Sequence, residues 1–249
     1  MDFSNAFVQA ELKEDVYLTL PAMFAGPNGE SSQEVVMKLN RSLYGLVQAP
    51  MYWYNHLKAS LEHKSIGFTA STLDPCLFYG NGMVVLVYVD DCLFFGPDQA
   101  KIDEVIAKLQ GRGLSLTIEK EEAYAFLGVD FKPNNKGGYT MTQEGLIKKV
   151  LKTMRMQDCN RKATPAGTAP LGTDEDGKPY DEEWNYASVV GMLLYLSSNS
   201  RSDIQFAVHQ CARFTHSPKQ SHADAIKRIC RYLQGTHNKG LEFLSLIHI

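Results

Sequence analysis

Met83-Val84-Val85-Leu86-Val87-Tyr88-Val89-Asp90-Asp91-Cys92-Leu93-Phe94-Phe95 is the stretch whose reading decides the fold. Two apolar runs rich in β-branched and aromatic residues, Met83–Tyr88 and Cys92–Phe95, flank Val89-Asp90-Asp91, which predicts a β-hairpin. Adjacent carboxylates repel each other and are costly to bury unpaired. The strands require a core, while the segment between them must stay solvated or hold a cation. A divalent ion resolves that conflict, because Mg²⁺ takes one or two carboxylates together with phosphate oxygens and water. A plain solvated Asp-Asp turn satisfies the same local pattern, since Asp is a favoured turn residue.

Downstream, Gly96-Pro97-Asp98 stops the second run, and Asp98 is a suitable N-cap for a helix. Ile102, Val105, Ile106 and Leu109 then fall at helical spacing. Strands are predicted at Leu114–Ile118 and Phe126–Phe131, a turn at Asn134–Gly138, and a basic helix over about Gln143–Met154. That helix carries Leu146, Val150 and Met154 inward and Lys148, Lys149 and Lys152 mostly outward. Upstream, Val16–Leu20 and Val35–Leu39 read as strands around a loop at Ala25–Gly29. Trp53, Leu57 and Leu61 recur every four residues, one face of a helix that begins near Pro50 and ends near His63.

The stretch 158–185 changes character, with Pro165, Pro170, Pro179 and the acidic run Asp174-Glu175-Asp176. Such composition predicts a linker or long surface loop, and a domain boundary is expected there. Helices follow at Tyr186–Ser198, Asp203–Thr215 and Ser221–Gln234, the second with a capping-box pattern at Ser202 and Gln205. In the third, Ala225, Ile226, Ile229, Tyr232 and Leu233 make an apolar face opposite Lys227, Arg228 and Arg231.

The 249 residues, 44% apolar and 21% charged, suit one large or two modest globular domains and argue against a disordered or collagen-like chain. The longest apolar runs fall well short of the roughly 18 residues a membrane span needs, and no secretory signal opens the sequence. Five cysteines without a Cys-x-x-Cys pair support neither a zinc site nor a disulfide framework, and read as small core residues in a reducing compartment. Net charge is −3, yet 148–162 holds six Lys or Arg against one acid, and 201–239 seven against two. Local basic faces of this kind can bind a polyanion although the whole chain is slightly acidic.

Two further segments carry chemistry. Asp2, in Asp2-Phe3-Ser4-Asn5-Ala6-Phe7, would complete a carboxylate cluster if its strand lay beside the Asp90–Asp91 hairpin; alone, it is a surface acid near a terminus. Ser42-Leu43-Tyr44-Gly45-Leu46-Val47-Gln48-Ala49-Pro50, followed by Trp53-Tyr54, is a glycine-bearing loop entering a helix. Its backbone can approach a nucleotide or template closely, or it can simply pack the helix.

Taken in order, these three segments resemble the reverse transcriptase of Ty1/copia-type long-terminal-repeat retrotransposons: Asp2…Ala6-Phe7 its first carboxylate motif, Ser42…Pro50…Trp53-Tyr54 its template-and-nucleotide motif, Tyr88-Val89-Asp90-Asp91 its catalytic hairpin. Phe126-Leu127-Gly128-Val129 is similar to the primer-grip strand. The runs Tyr186…Leu196, Arg201…Ile204 and Lys227…Thr236 are similar to the segment beyond the polymerase core.

The resemblance implies an α+β fold: an antiparallel polymerase palm sheet with packed helices, a proline-rich linker and a mostly helical connection-like region. The expected divisions are 1–157 (palm, part of the fingers, primer grip), 158–185 (linker), 186–243 (connection) and 244–249, a tail unlike the family that resembles adapter read-through. It also implies an RNA-directed DNA polymerase. Asp2, Asp90 and Asp91 would hold two Mg²⁺ ions, or Mn²⁺, for nucleotidyl transfer to a primer 3′-hydroxyl. Phe7 would exclude a ribose 2′-hydroxyl, Tyr44, Gly45 and Gln48 would line the nucleotide and template side, and Leu127 and Gly128 would seat the primer end. Lys148, Lys149, Lys152, Lys227, Arg228 and Arg231 would meet nucleic-acid phosphates. The implied partners are an RNA template, a DNA or RNA primer, deoxynucleoside triphosphates, and the integrase and RNase H of the polyprotein, in cytoplasmic virus-like particles and with no membrane.

Several departures qualify the resemblance. The sequence opens one residue before the first motif aspartate, so the upstream fingers strands and a downstream RNase H are expected to be missing. Val47 and Met51 stand where many members carry Lys and Arg. A catalytically inactive nucleic-acid-binding remnant is the alternative reading, and a metal-dependent nuclease a third.

Overall fold

A computed structural model gives the fold and describes residues 1–21, 23–24, 26, 29, 31, 35–118, 124–181 and 183–243. Part of the loop expected at Ala25–Gly29 and the whole tail at 244–249 lie outside the described residues. The chain is α+β, with antiparallel sheets and seven α-helices among the described residues. It divides into two compact units, Met1–Lys120 and Glu121–Ile249.

The first unit is built on a six-stranded antiparallel sheet. In chain order its strands are β1 (Asp2–Phe3), β4 (Thr69–Ala70), β5 (Leu77–Gly80), β6 (Met83–Tyr88), β7 (Asp91–Phe95) and β8 (Leu116–Thr117), arranged β4-β5-β6-β7-β1-β8. A separate ribbon pairs β2 (Tyr17–Thr19) with β3 (Val36–Lys38). Helices α1 (Ala6–Gln9), α2 (Ala49–Leu61) and α3 (Gln99–Gly111) complete the unit. The β6–β7 alternation works as the sequence predicts: Met83, Val85, Val87 and Cys92 are buried on one face, while Tyr88 and Phe95 stay exposed on the other. Trp53, Leu57 and Leu61 of α2 are each 1% exposed and share that core with Phe3, Phe78 and Leu109. Full burial of side chains this size contributes about 2 kcal/mol each, which is what ties α2 to the sheet. Asp98 caps α3 through Ala100 N–H, and Val105, Ile106 and Leu109 are buried as expected.

The second unit has a four-stranded antiparallel sheet of β9 (Tyr124–Phe126), β10 (Val129–Pro133), β11 (Tyr139–Thr142) and β12 (Leu241–Phe243), ordered β12-β11-β10-β9. Its helices are α4 (Glu144–Thr153), α5 (Tyr186–Asn199), α6 (Gln205–Ala212) and α7 (Gln220–Gly235), with a 3₁₀ turn at Ser202–Ile204. One apolar cluster joins Ile147 and Val150 of α4 to Val189 and Leu193 of α5, Val208 of α6, and Ile226, Ile229 and Leu233 of α7.

Three expectations need correcting. The single strand expected over Phe126–Phe131 is a tight hairpin: Leu127 and Gly128 both take positive φ (51° and 74°), the pattern of a type I′ turn, and Val129 pairs back onto Phe126. The capping box expected at Ser202 and Gln205 is not made, because Ser202 opens the 3₁₀ turn and Gln205 opens α6, whose N-cap is Ile204 with no side-chain cap. The α4 core face includes Ile147 and Leu151 in place of Leu146, which is only partly buried.

The stretch 158–185, expected as a linker, is fastened to the second unit's helices. Tyr180 and Trp184 are buried and pack with Tyr186 at ring-centroid separations of 5.1–6.0 Å. Pro179 bridges to Lys219, and Lys162 N–H donates to Arg231 C=O. Three aromatic rings bury enough apolar area to hold a proline-rich strap down. The compact division falls at 120/121, ahead of that stretch.

Candidate active site

Strand β1 is only two residues long, yet it is held on both sides. Asp2 pairs with Asp91 of β7 and with Thr117 of β8. Phe3 N–H donates to Asp90 C=O (2.9 Å) and Cys92 N–H to Met1 C=O (2.9 Å). These bonds bring Asp2, Asp90 and Asp91 to one end of the sheet although about ninety positions separate them along the chain. Asp91 belongs to β7, so the β6–β7 turn is the two-residue pair Val89-Asp90. Val89 carries φ +55° and Asp90 does not take positive φ, the pattern of a type II′ turn, whose first central position favours glycine. A β-branched residue there is strained.

All three carboxylate residues are half-buried. Cys92, on the core face beside them, reports their shared neighbourhood: its thiol is pushed well above the ordinary range, first by burial and then by the charges of Asp91, Asp90 and Asp2, against the opposing N-terminal amine. Hard carboxylate oxygens suit Mg²⁺. The donor type and the backbone register therefore fit a divalent cation. Among the described residues, though, no three His, Cys, Asp or Glu side chains group closely enough to hold an ion. Like charges on neighbouring strands repel, so drawing them into a closed cage requires the cation's own charge.

The β1–α1 junction delivers Phe7. Asn5 takes the left-handed conformation (φ 52°, ψ 49°), which turns the chain sharply into α1, and Ala6, fully buried, lets the turn pack closely. The Gln9 side chain stitches the junction to β8, donating to Ser4 C=O and Ser115 C=O and accepting from Ser115 N–H, each at 2.8 Å. Phe7 meets Tyr44 with ring centroids 4.7 Å apart and planes at 42°. Tyr44 stands in the loop before α2, where Leu46 N–H donates to Leu43 C=O and Gly45 takes φ +101°. Gln48 is the N-cap of α2, with its carbonyl accepting from Tyr52 N–H.

The matching family is described as reverse transcriptase (RNA-dependent DNA polymerase), and its model covers residues 1–168. The chain belongs to the reverse transcriptase family. It is 36% identical over 245 residues to a retrovirus-related Pol polyprotein from transposon RE1 of Arabidopsis thaliana, covering 97% of this chain and 16% of that protein. A retrovirus-related Pol polyprotein from transposon TNT 1-94 of Nicotiana tabacum is 33% identical over 251 residues, 95% of this chain and 18% of that protein. A putative transposon Ty5-1 protein of Saccharomyces cerevisiae is 28% identical over 98% of this chain and 79% of its own length. The chain thus spans about a sixth of the length of the Pol polyproteins it matches. These relatives identify a copia-type reverse transcriptase chain.

The other expected site residues of this reverse transcriptase chain lie in the second unit. Leu127 and Gly128 form the β9–β10 turn, and the Leu127 carbonyl accepts from the Tyr195 hydroxyl. Lys148, Lys149 and Lys152 are exposed on α4, as is Arg231 on α7. Lys227 is paired with Glu183 (3.3 Å), and Arg228, half-buried, donates to Thr164 Oγ1 (2.8 Å). Those two are therefore partly engaged within the unit.

Sequence reasoning missed two arrangements. Arg201, 1% exposed, forms a fork onto Asp203 (2.9 and 2.8 Å), reaches Thr236 with two bonds of 2.8 Å, and faces the Tyr232 ring. Trp53, read from sequence as part of a helix face and of a motif, also donates its indole N–H to Val89 C=O at 2.6 Å. The signal available for both was chemical: a buried guanidinium or indole must find acceptors. Which acceptors is decided by tertiary structure. Among the described residues no helix is long and apolar enough to cross a membrane.

Proposed function

We propose that the chain carries the nucleotide-adding centre of a copia-type RNA-directed DNA polymerase, with Asp2, Asp90 and Asp91 as its catalytic carboxylates. The observation that carries this reading is the β1–β7 register, which sets Asp2 against Asp91 while Phe3 N–H holds the Asp90 carbonyl. Three carboxylate residues on paired strands beside a strained turn repel one another, and a functional need accounts for that arrangement. Mg²⁺ bound to these carboxylates supplies charge neutralisation for the triphosphate and lowers the pKa of the primer hydroxyl. The chain's own part is positioning. Phe7 lies under the sugar and bars a 2′-hydroxyl. Gly45, free of a Cβ and at positive φ, lets the loop backbone approach the nucleotide, with Tyr44 and Gln48 beside it.

In this reading residues 1–157 supply the palm and primer grip, and 186–243 a connection-like region, with 158–185 between them. Leu127 and Gly128 seat the primer end. Lys148, Lys149, Lys152 and Arg231 face template and primer phosphates, with Lys227 and Arg228 joining them when their internal partners release. The partners are a primed RNA template, deoxynucleoside triphosphates and the integrase and RNase H of the polyprotein, within cytoplasmic virus-like particles.

Extension of a primed RNA template with Mg²⁺ and deoxynucleotides tests the proposal. Asp90→Asn is expected to lower the rate by about a thousandfold or more, since it removes a charge from the metal-binding set. Extension retained in that variant overturns the assignment. A second reading, binding without addition, is favoured by one observation: Val47, where many family members carry a basic residue, is 96% exposed and offers a phosphate no charge. Salt-sensitive nucleic-acid binding with no extension by the unaltered chain would select it.

A further inference from the structure

We infer that Trp53 is a positioning residue for the carboxylates, acting through the backbone of the β6–β7 turn; this rests on the polymerase reading for its catalytic consequence but not for its structural one. The indole is 1% exposed and does two things at once. Its N–H donates to the Val89 carbonyl at 2.6 Å, and its ring meets Phe3 edge-on, with centroids 5.1 Å apart and planes at 67°. Phe3 follows Asp2, and its N–H holds the Asp90 carbonyl. A single side chain of α2 thus holds the turn backbone beside Asp90 and the side chain of the residue that follows Asp2.

Val89 is where such a brace is needed. Its φ of +55° is one that β-branched residues resist, and without an opposing restraint the turn relaxes toward negative φ. That relaxation would rotate Asp90 and Asp91 relative to Asp2. A buried indole donor aimed at the carbonyl of the strained residue resists it, because leaving the turn would strand the N–H without a partner. The pairing is not automatic for an indole in this chain: the other tryptophan, Trp184, is buried with its N–H unpartnered. Proximity of reacting groups to within a fraction of an ångström governs catalytic rate more than binding, so the brace should act on turnover rather than on nucleotide affinity.

Trp53→Phe keeps an aromatic ring against Phe3 and deletes only the donor. Two measurements follow its effect. In amide hydrogen exchange, the Phe3 and Cys92 N–H groups that clip β1 to the hairpin should exchange about tenfold faster, while the β5–β6 amides stay as they were. In primer extension, kcat should fall about tenfold with KM for the deoxynucleotide within about twofold. Val89→Gly removes the strain the brace opposes, so the double variant Trp53→Phe/Val89→Gly should regain most of the lost protection and turnover.

Unchanged exchange at both amides overturns the inference whatever the activity. A uniform rise across the unit, or loss of folding without rescue by Val89→Gly, assigns Trp53 to bulk packing and overturns it too. An unaltered chain that extends no better than Asp90→Asn instead overturns the polymerase reading, and the exchange arm still decides the role of Trp53.

Discussion

At the scale of single residues, the proposed nucleotide side of the site would depend on one ring supporting another. Phe7 sits on α1, a helix of four residues whose hydrogen bonds alone cannot hold it rigidly. The Tyr44 ring, 4.7 Å away, backs it from the loop before α2. If Phe7 selects against a ribose 2′-hydroxyl, removing the backing ring lets it retreat. Tyr44→Ala is therefore expected to cut the preference for deoxynucleotides over ribonucleotides by about tenfold, the scale of removing one apolar neighbour from a specificity pocket. Tyr44→Phe should keep it. Competing incorporation of the two nucleotide types on one template measures both. The adjacent carboxylates Asp90 and Asp91, and the hairpin that carries them, were legible from two letters between apolar runs. The brace from Trp53 was not, because its acceptor is 36 positions away and is a backbone carbonyl, which has no signature in sequence.

Among elements, the link between the 3₁₀ turn and the end of α7 concentrates the second unit's polar energetics. Arg201 is buried and spans from Asp203 to Thr236, while the Tyr232 hydroxyl also donates to Asp203 (2.7 Å). Burial pushes the Asp203 carboxyl up, but hydrogen bonds from Arg201 and Tyr232 and the guanidinium charge outweigh it and hold its pKa below the usual range. A carboxyl depressed in the folded state contributes stability that is fully present above its unfolded pKa and lost as pH falls through the folded one. Asp203→Asn should destabilise the protein at pH 7 by about 2 kcal/mol, the lower end for breaking a buried pair because the carboxylate is still partly solvated. The gap between variant and unaltered chain should close below about pH 4, as urea unfolding at pH 7 and pH 3 can show. The amphipathic stripes of α2 and α3 made those helices readable. The β9–β10 hairpin was misread because its turn, Leu127-Gly128, continues an apolar run and only the glycine marks the reversal.

For the whole molecule, the net charge of −3 conceals an asymmetry. Residues 1–120 hold 9 basic and 14 acidic residues, net −5, and residues 121–249 hold 16 and 14, net +2. The unit bearing the three carboxylates is thus acidic, and the one bearing α4 and α7 is basic. Attraction for a polyanion belongs to the second. Replacing Lys148, Lys149 and Lys152 together by Gln should weaken nucleic-acid binding about equally for all sequences. It should also flatten the logarithmic salt dependence by up to about three, roughly one for each phosphate no longer neutralised. Fluorescence titrations of a labelled duplex at several salt concentrations check both. An unchanged slope would place the binding surface elsewhere.

Local rules acting over a few residues were enough for the sequence to determine the hairpin, the inward faces of α2, α3 and α7, the basic outer face of α4 and the ordered motifs that mark the family. These follow from side-chain periodicity and turn chemistry, which the chain carries wherever it goes. Tertiary structure alone decided that Asp2 lies against Asp91, that Trp53 reaches Val89, and that Tyr180 and Trp184 bind the proline-rich strap down. Each of those joins residues by backbone pairing, by a side-chain hydrogen bond to a backbone carbonyl or by burial of complementary shapes. None of these leaves a periodic trace in the sequence, because the partner is chosen by the packing of the finished core.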